Sequence, residues 1–478
     1  MAPTKNKLPK PGLRAGVEME SFRKKYLNLD YFKKLIFDPH YLGAACCFLF
    51  VFELILNVLI IERVNYTEID WRAYMQEVEG FLNGTLDYKE LKGDTGPLVY
   101  PAGFVYVYTI LYHVTSQGTN IYLAQYIFLV LYLIQTLLTY RIFRKTAKIP
   151  PYALILTTLT SYRIHSIFVL RLFNDPIAVL LFYVSLNLFI SNKWLLGSFL
   201  FSLAVSVKMN ILLYAPCLLI AYLTNLTLSE TFLNLFVCGI VQLILGAPFL
   251  YTNPYSYIKG SFDLGRIFEH KWTVNYRFLP REIFESRVFH ISLLALHVAI
   301  LLLFTPILKH YLSSYSKLRL ITEQVKSQMK SERKKRQDAR RKENQKLNKK
   351  EREFLESFEK QLRSNKSKEE TVDDVFEDES KLEDKMSKVA QLLVLPFFVT
   401  NLIGIVCARS LHYQFYSWYF HSLLYLVFCT GFRKPVIFLL LGVLEYCWNV
   451  YPSTDISSAL IHVCHILLLY GIYRTMKM

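Results

Sequence analysis

The sequence lacks the patterns with which soluble enzymes bind nucleotides or metal ions. It has no glycine-rich phosphate-binding loop, no H-E-x-x-H pattern and no cluster of cysteine and histidine residues. Its eight cysteines form no C-x-x-C pair and all lie in apolar stretches. We therefore expect small core side chains rather than disulfides or metal ligands. These absences argue against a nucleotide-driven pump and against an enzyme that uses a nucleotide sugar.

Charged residues are scarce within the long apolar stretches. The chain has 478 residues, of which 53% are hydrophobic and 15% aromatic, and several apolar runs approach the roughly 20 residues that cross a hydrocarbon core. We predict an all-α polytopic membrane protein with about twelve transmembrane helices. The predicted spans lie near 41–61, 121–143, 150–170, 175–190, 194–210, 211–224, 231–251, 288–308, 390–408, 415–430, 434–450 and 457–473.

The formal net charge of +17 is distributed unevenly along the chain. Residues 1–40 contain nine Lys or Arg and four Asp or Glu, whereas residues 62–98 contain four basic and eight acidic residues. Because Lys and Arg beside spans mark the cytoplasmic side, we expect both termini in the cytoplasm and the loop after the first span on the opposite side. We expect this first span to be an uncleaved anchor. The basic charge reflects topology, and we expect no nucleic-acid partner.

Four regions follow from this pattern. Residues 1–40 form a basic cytoplasmic tail, and residues 41–316 form a transmembrane region with loops on the opposite side at 62–119 and 252–287; the resemblance described below implies that this region is catalytic and that these loops are luminal. Residues 317–388 form a cytoplasmic charged insert, and residues 389–478 form a second transmembrane region. The insert has fifteen bases and five acids in 317–352, then seven bases and twelve acids in 353–388, so we expect a solvated helix or a disordered segment.

The stretch "EIDWRAYMQEVEGFLNG" directly after the first span has helical spacing of apolar residues. This pattern predicts an amphipathic helix on the membrane surface, with Asp70 at its start. Asp70 could cap that helix, or it could be a carboxylate held at the water–lipid boundary as a general base. The following stretch "GDTGPLVYPAG", which contains Tyr100, predicts a compact loop.

Further polar residues fall on the same outer side of the predicted topology. "RLFNDP" places Arg171, Asn174 and Asp175 at a span boundary, where Asp175 could instead be a helix cap. The aromatics of "ARSLHYQFYSW" could be interfacial anchors, or the stretch could hold a lipid phosphate. The basic residues of the stretch "FDLGRIFEHKW" are of the kind that binds a phosphate group. The candidates in these and neighbouring stretches are Arg409, His412, Tyr413, Gln414, Arg266, His270, Lys271 and Lys208.

The stretches "TEIDWRAYMQEVEGFLNGTLDYKELKGDTGPLVYPAG", "RLFNDP", "SVKMN" and "LHYQFYSWYFHSL" together resemble those of the endoplasmic reticulum alpha-1,3-mannosyltransferases of N-glycan assembly. This family belongs to the GT-C glycosyltransferases. The resemblance implies a luminal active site, dolichyl-phosphate-mannose as donor and a dolichol-linked five-mannose oligosaccharide as acceptor, within the lipids of the endoplasmic reticulum membrane. It assigns the role of general base to Asp70.

Given this resemblance, we expect Trp71, Tyr100 and the polar candidates above to contact substrate. We also expect that the reaction needs no metal ion or other cofactor. The alternative is a polytopic transporter or lipid flippase. A transporter usually needs ionisable groups near the midplane of the membrane. Only Glu53, Lys208 and Glu445 were apolar-flanked candidates for that role in the predicted spans.

Overall fold

The protein was described from a computed structural model, which defines residues 28–263, 268–346 and 373–478. Within these residues the chain is mostly helical. Its two strands, Lys92–Gly93 and Gly96–Pro97, form a short antiparallel ribbon in which Lys92 lies opposite Pro97. The prediction of an all-α protein is confirmed at this level.

Six helices in the described residues are long and apolar enough to cross a membrane. Such lengths match the thickness of the hydrocarbon core. The helix that begins at Arg287 continues to Lys346, so the predicted boundary at residue 317 lies inside one continuous helix. Residues 347–372 of the charged insert lie outside the described residues, and Asp373 begins a helix that runs to Val406. The six candidate spans are Pro39–Arg63, Ile121–Thr146, Leu228–Thr252, Arg287–Val325, Ser387–Val406 and Asp455–Lys477.

A seventh candidate span is bent. The helical segments Tyr162–Leu170 and Asp175–Ile190 meet at an angle of 107°. In the break between them Leu172 has a φ of +51°, a left-handed conformation that is costly for a branched side chain. The second helical segment begins after the bend, at Asn174 and Asp175. The side chains of Asn174 and Asp175 are both fully buried there.

Several predicted spans are shorter helices in the structure. An apolar helix of 10–14 residues is more typical of a protein core than of a membrane span. The prediction of about twelve spans therefore stays a prediction. The shorter helical segments are Leu29–Phe37, Trp71–Leu82, Ala102–Val114, Pro151–Leu159, Trp194–Val207, Met209–Tyr214, Ala215–Asn225, Pro254–Ser261, His270–Trp272, Arg281–Phe284, Tyr413–Trp418, Phe420–Phe428 and Lys434–Asn449.

One close helix contact determines where the polar loops meet. A Cβ atom at Gly103, in helix Ala102–Val114, would overlap the side chain of Ser206, in helix Trp194–Val207. Only glycine permits this approach. Since Tyr100 lies just before the first helix and Lys208 just after the second, the contact brings the two loops together.

Candidate active site

Asp70 directly precedes helix Trp71–Leu82, as the sequence predicted. Its side chain makes no capping hydrogen bond to the helix backbone. Instead the Tyr74 hydroxyl donates to Asp70 Oδ2 at 3.3 Å. The indole N–H of Trp71, which is 1% exposed, donates to the carbonyl of Gly118 at 2.9 Å. The buried tryptophan fixes the start of the helix, and Tyr74 fixes the carboxylate.

Tyr100 extends this arrangement toward the next loop. The hydroxyl oxygens of Tyr74 and Tyr100 lie 3.5 Å apart, and their rings make an edge-to-face contact at 5.8 Å. Burial raises the pKa of both phenols, and the nearby charge of Asp70 raises the pKa further. Both side chains therefore stay protonated at neutral pH, so Tyr74 can donate to Asp70.

Lys208 lies on the other side of Tyr100. Its Nζ is 5.3 Å from the centre of the Tyr100 ring and 5.3 Å from the centre of the Phe415 ring. The same atom lies 2.7 Å from Asp175 Oδ1 and donates to Asn174 Oδ1 at 2.9 Å. A buried ammonium group needs such partners to offset the loss of hydration.

Asp175 is a shared acceptor rather than a helix cap. The structure assigns the N-cap position to Asn174 and gives it no side-chain capping bond. Asp175 Oδ1 accepts from Trp418 Nε1 as well as from Lys208. Asp175 Oδ2 and Asn174 Nδ2 are buried, and neither has a hydrogen-bond partner in the described part of the chain. Such leftover polar atoms mark a place that a polar ligand can fill.

The segment around His412 adds an aromatic wall and a second basic group. The rings of Phe415 and Trp418 stack at 4.0 Å, and His412 stacks on Phe415 at 5.2 Å. The guanidinium of Arg409 lies 5.7 Å from the centre of the Phe268 ring, which contacts His412 at 5.1 Å. Burial lowers the pKa of Arg409, and the charge of Asp263 opposes that effect. Arginine stays charged under any such shift.

The long loop 252–287 is joined to this segment by backbone contacts. The Val274 N–H donates to the carbonyl of Leu411 at 2.7 Å, and the Leu411 N–H donates to Asn275 Oδ1 at 2.8 Å. His270 and Lys271 contact their own loop, through the Tyr276 carbonyl at 3.3 Å and Glu269 at 2.7 Å. Arg266 lies outside the described residues.

Three other predicted residues contact different neighbours. Arg171 donates to Ser166 Oγ within the bend. The Tyr413 hydroxyl donates to the carbonyl of Val450 at 2.7 Å. The backbone carbonyl of Gln414 accepts from Ser417 Oγ at 2.8 Å. The predicted residues therefore divide into a surrounding group and a group that the structure connects through Tyr74, Phe415 and Trp418. The connected group, which we call the polar cluster, comprises Asp70, Tyr74, Tyr100, Asn174, Asp175, Lys208, His412, Phe415 and Trp418.

Two other acids of the first loop, Asp87 and Asp94, are held by neighbouring side chains. Asp87 accepts from Asn253 at 2.8 Å and from Ser256 at 2.7 Å. These hydrogen bonds lower the pKa of Asp87, with the Ser256 bond contributing most. Asp94 pairs with Arg72 at 2.7 Å and accepts from Gln76 at 2.9 Å. Both carboxylates fasten the loop, and neither belongs to the connected group that contains Asp70.

The sequence reasoning missed Tyr74, Phe415 and Trp418 as members of the cluster. Tyr74 lies four residues after Asp70, a spacing that places two helical side chains on the same face. That signal was available, but Tyr74 was not singled out. Phe415 gave no separate signal, because it lies among the aromatics of "HYQFYSW" that suit an interfacial anchor equally well.

The chain resembles known proteins over most of its length. It is 55% identical over 486 residues to the Drosophila melanogaster protein named Dolichyl-P-Man:Man5GlcNAc2-PP-dolichol alpha-1,3-mannosyltransferase Alg3, covering 99% of this chain and 95% of that protein. It is 43% identical over 444 residues to the Homo sapiens Dol-P-Man:Man(5)GlcNAc(2)-PP-Dol alpha-1,3-mannosyltransferase, covering 92% of this chain and 88% of the human protein.

The mouse protein of the same name is 42% identical over 442 residues, with 92% of this chain and 88% of the mouse protein covered. No solved structure matches the chain. The family model described as "ALG3 protein" matches residues 47–458, a range that includes every described member of the polar cluster. The resemblance that the loop sequences suggested is thereby confirmed, and the chain belongs to the ALG3 protein family.

Proposed function

We propose that this protein is an alpha-1,3-mannosyltransferase. It takes mannose from dolichyl-phosphate-mannose and adds it to Man5GlcNAc2-PP-dolichol. The names of its relatives state this reaction, and the apolar helices suit substrates that are both carried by membrane lipids. The transporter alternative has no support from these relatives, all of which are named as transferases.

One observation carries the proposal at the level of chemistry. Tyr100 lies between a carboxylate and a cation, since it meets Asp70 through the Tyr74 hydroxyl and meets Lys208 through its ring. A glycosyl transfer needs a base on the acceptor side and positive charge at the leaving group. The polar cluster offers both within one connected arrangement.

The reaction is a single displacement, because the donor linkage is beta and the product linkage is alpha. Asp70 accepts the proton of the acceptor 3-hydroxyl. The oxygen forms a bond to C1 of the donor mannose as the bond from C1 to the phosphate oxygen breaks. The electron pair of that bond remains on dolichyl phosphate, which leaves as an anion.

Lys208 stabilises that anion, and Arg409 and His412 are the further candidates for the phosphate. Asp175 and Asn174 hold the ammonium group of Lys208 in place. Trp71 orients Asp70 through its packing. We assign the more distant Arg171, His270, Lys271, Tyr413 and Gln414 to contacts with the oligosaccharide or the lipid, and Arg266 stays a candidate for the phosphate.

The proposed setting is the membrane of the endoplasmic reticulum, with both termini in the cytoplasm and the polar cluster at the luminal face. The excess of Lys and Arg in residues 1–40 supports this orientation. We retain the GT-C architecture with about twelve spans as part of the proposal. It requires that short apolar helices such as Trp194–Val207 also lie within the membrane.

The experiment is transfer by the purified full chain in detergent. Radiolabelled dolichyl-phosphate-mannose and Man5GlcNAc2-PP-dolichol are incubated with the protein, and the linkage of the product is determined by methylation analysis. We expect a six-mannose product with a new 1,3 linkage and no need for a sealed membrane. Binding of the donor without any transfer would refute the proposal and favour a transporter.

A further inference from the structure

A cavity of about 250 Å³ lies apart from the polar cluster, inside the helical body. Its lining includes Glu53, from the candidate span Pro39–Arg63, and Tyr132, from the candidate span Ile121–Thr146. Both residues lie near the middle of their helices, so the cavity reaches the middle of both candidate spans. Helices Phe420–Phe428 and Lys434–Asn449 complete its wall.

One wall of the cavity changes from apolar to polar along its length. Along helix Lys434–Asn449 the lining changes from Phe438 and Leu441 to Glu445, and along Phe420–Phe428 it changes from Leu424 to His421. The polar positions Glu445 and His421 lie toward the ends of these helices that adjoin segment Tyr413–Trp418 and Asn449. The opposite wall carries separate hydroxyl groups, such as those of Thr136, Thr139 and Thr158. An amphipathic occupant with one polar end suits this lining.

The polar end contains a side chain whose hydrogen-bonding capacity is unused. His421 lines the cavity and is 7% exposed, and its Nε2 has no hydrogen-bond partner among the described residues. Glu445 also lines the cavity, and its carboxylate accepts from Tyr416 and Asn449, each at 2.7 Å. A buried polar nitrogen without a partner is costly in an apolar setting, and a polar ligand atom can remove that cost.

The charges of the lining limit what the polar end of a ligand can be. The lining includes the two carboxylates of Glu53 and Glu445, and it includes no Lys or Arg from the described part of the chain. A phosphate or sulfate group would meet carboxyl oxygens and would find no Lys or Arg among these lining residues. A hydroxyl group suits the site, because it can donate to a carboxylate oxygen and also bond to an imidazole nitrogen.

We propose that this cavity binds a neutral membrane lipid with one free hydroxyl group, which sits between Glu445 and His421. The apolar body lies along Phe438, Leu441 and Leu424. A sterol and a free polyprenol both have this chemistry. The inference is independent of the proposed transfer reaction, because it assigns no role to the polar cluster.

Gly442 offers a way to close the cavity without disturbing the packing. It lines the cavity on the exposed side of helix Lys434–Asn449, and a Cβ atom added there would meet nothing within 4 Å. Gly239 in helix Leu228–Thr252 is also exposed and has equally open surroundings, but it does not line the cavity. Gly442→Phe and Gly239→Phe are therefore a matched pair.

The test is photolabelling of the purified full chain with a diazirine analogue of cholesterol that keeps its free hydroxyl. We expect labelled peptides from helices Phe420–Phe428 and Lys434–Asn449. Gly442→Phe should reduce that labelling by roughly tenfold, whereas Gly239→Phe should change it by less than about twofold. Gly442→Leu serves as a milder second variant, and size-exclusion chromatography confirms that each variant is folded.

Competition identifies the lipid. Unlabelled cholesterol and free dolichol are titrated separately, and the one that competes at the lower concentration is the better ligand. Cholesteryl methyl ether, cholesteryl sulfate and dolichyl phosphate should compete at least roughly tenfold less well. Equal competition by the sulfate or the phosphate, or labelling that Gly442→Phe and Gly442→Leu leave unchanged, would overturn the proposal.

Discussion

A buried ion pair and a buried histidine–glutamate contact in this protein have the same length and different surroundings. Lys208 pairs with Asp175 at 2.7 Å, and His165 pairs with Glu53 at 2.7 Å. All four side chains are less than a tenth exposed. Burial and distance alone therefore do not distinguish a functional pair from a structural one.

Their remaining partners do distinguish them. His165 Nε2 also contacts the hydroxyls of Tyr132 at 3.2 Å and Ser161 at 3.3 Å, and all of these residues lie along or beside membrane helices. The pair of Lys208 lies at helix ends, where separate segments meet, and Asp175 Oδ2 has no partner in the described residues. A pair with polar capacity left over, beside loops, is the better candidate for binding substrate.

The largest expected effect is that of Asp70→Asn. The substitution keeps the shape of the side chain and the contact with Tyr74, but it removes the basicity. Loss of a positioned general base should lower transfer by roughly 100-fold to 10,000-fold, measured as kcat with both lipid substrates. Glu90→Gln is the control, because Glu90 is an exposed acid of the same loop. Near-normal transfer by a folded Asp70→Asn protein would remove Asp70 from the mechanism.

The next largest effect is expected for Lys208→Met. Loss of a charge at the leaving group should lower kcat by roughly 100-fold to 1,000-fold. It also leaves the carboxylate of Asp175 buried without its cation, which should destabilise the fold.

The double variant Lys208→Met with Asp175→Asn separates these two effects. It removes both charges, so we expect the thermal unfolding midpoint to recover while transfer stays low. If the double variant regains transfer together with stability, the pair is structural and the contrast with His165–Glu53 disappears.

A smaller effect is expected for Trp418→Phe. The new ring can still stack on Phe415, but the N–H that donates to Asp175 is lost. A hydrogen bond to a charged group of this kind is worth about tenfold in binding, so the KM for dolichyl-phosphate-mannose should rise by about that factor. Trp272→Phe, at an exposed position, should leave the KM unchanged. An equal rise in both variants would exclude a specific role for Trp418.

Much of the helical organisation could be predicted from the sequence. The helical spacing of "EIDWRAYMQEVEGFLNG" predicted a helix that starts after Asp70, and the structure has it at Trp71–Leu82. The span predicted at 150–170 is instead divided, because helix Pro151–Leu159 ends before Thr160. Apolar content does not distinguish a helix buried in protein from one that faces lipid, so short buried helices read as spans.

For the candidate site, the sequence suggested individual residues but not the contacts between them. The loops that carry Asp70, Asp175, Lys208 and His412 could be assigned to one side from the distribution of Lys and Arg. The ion pair of Lys208 with Asp175 could not be predicted from the sequence, because it depends on the bend at residues 171–174 and on the close contact at Gly103. Both are tertiary features without a local pattern. A local cap was therefore an equally good interpretation of Asp175.

The smallest effect on transfer is expected for Glu53→Gln, the counterpart of the Lys208 variants. Glutamine keeps a hydrogen bond to His165 but replaces one carboxyl oxygen with an amide nitrogen, so the free energy of unfolding should fall by about 1–3 kcal/mol. Because no residue of the polar cluster contacts this pair in the described hydrogen bonds, kcat per folded molecule should stay within about twofold of the parent value. The measurements are thermal unfolding in detergent and transfer normalised to folded protein, with Glu90→Gln again as control. A loss of transfer as large as that of Lys208→Met would show that the pair inside the membrane also supports catalysis, and that leftover polar capacity is a poor guide to function in this fold.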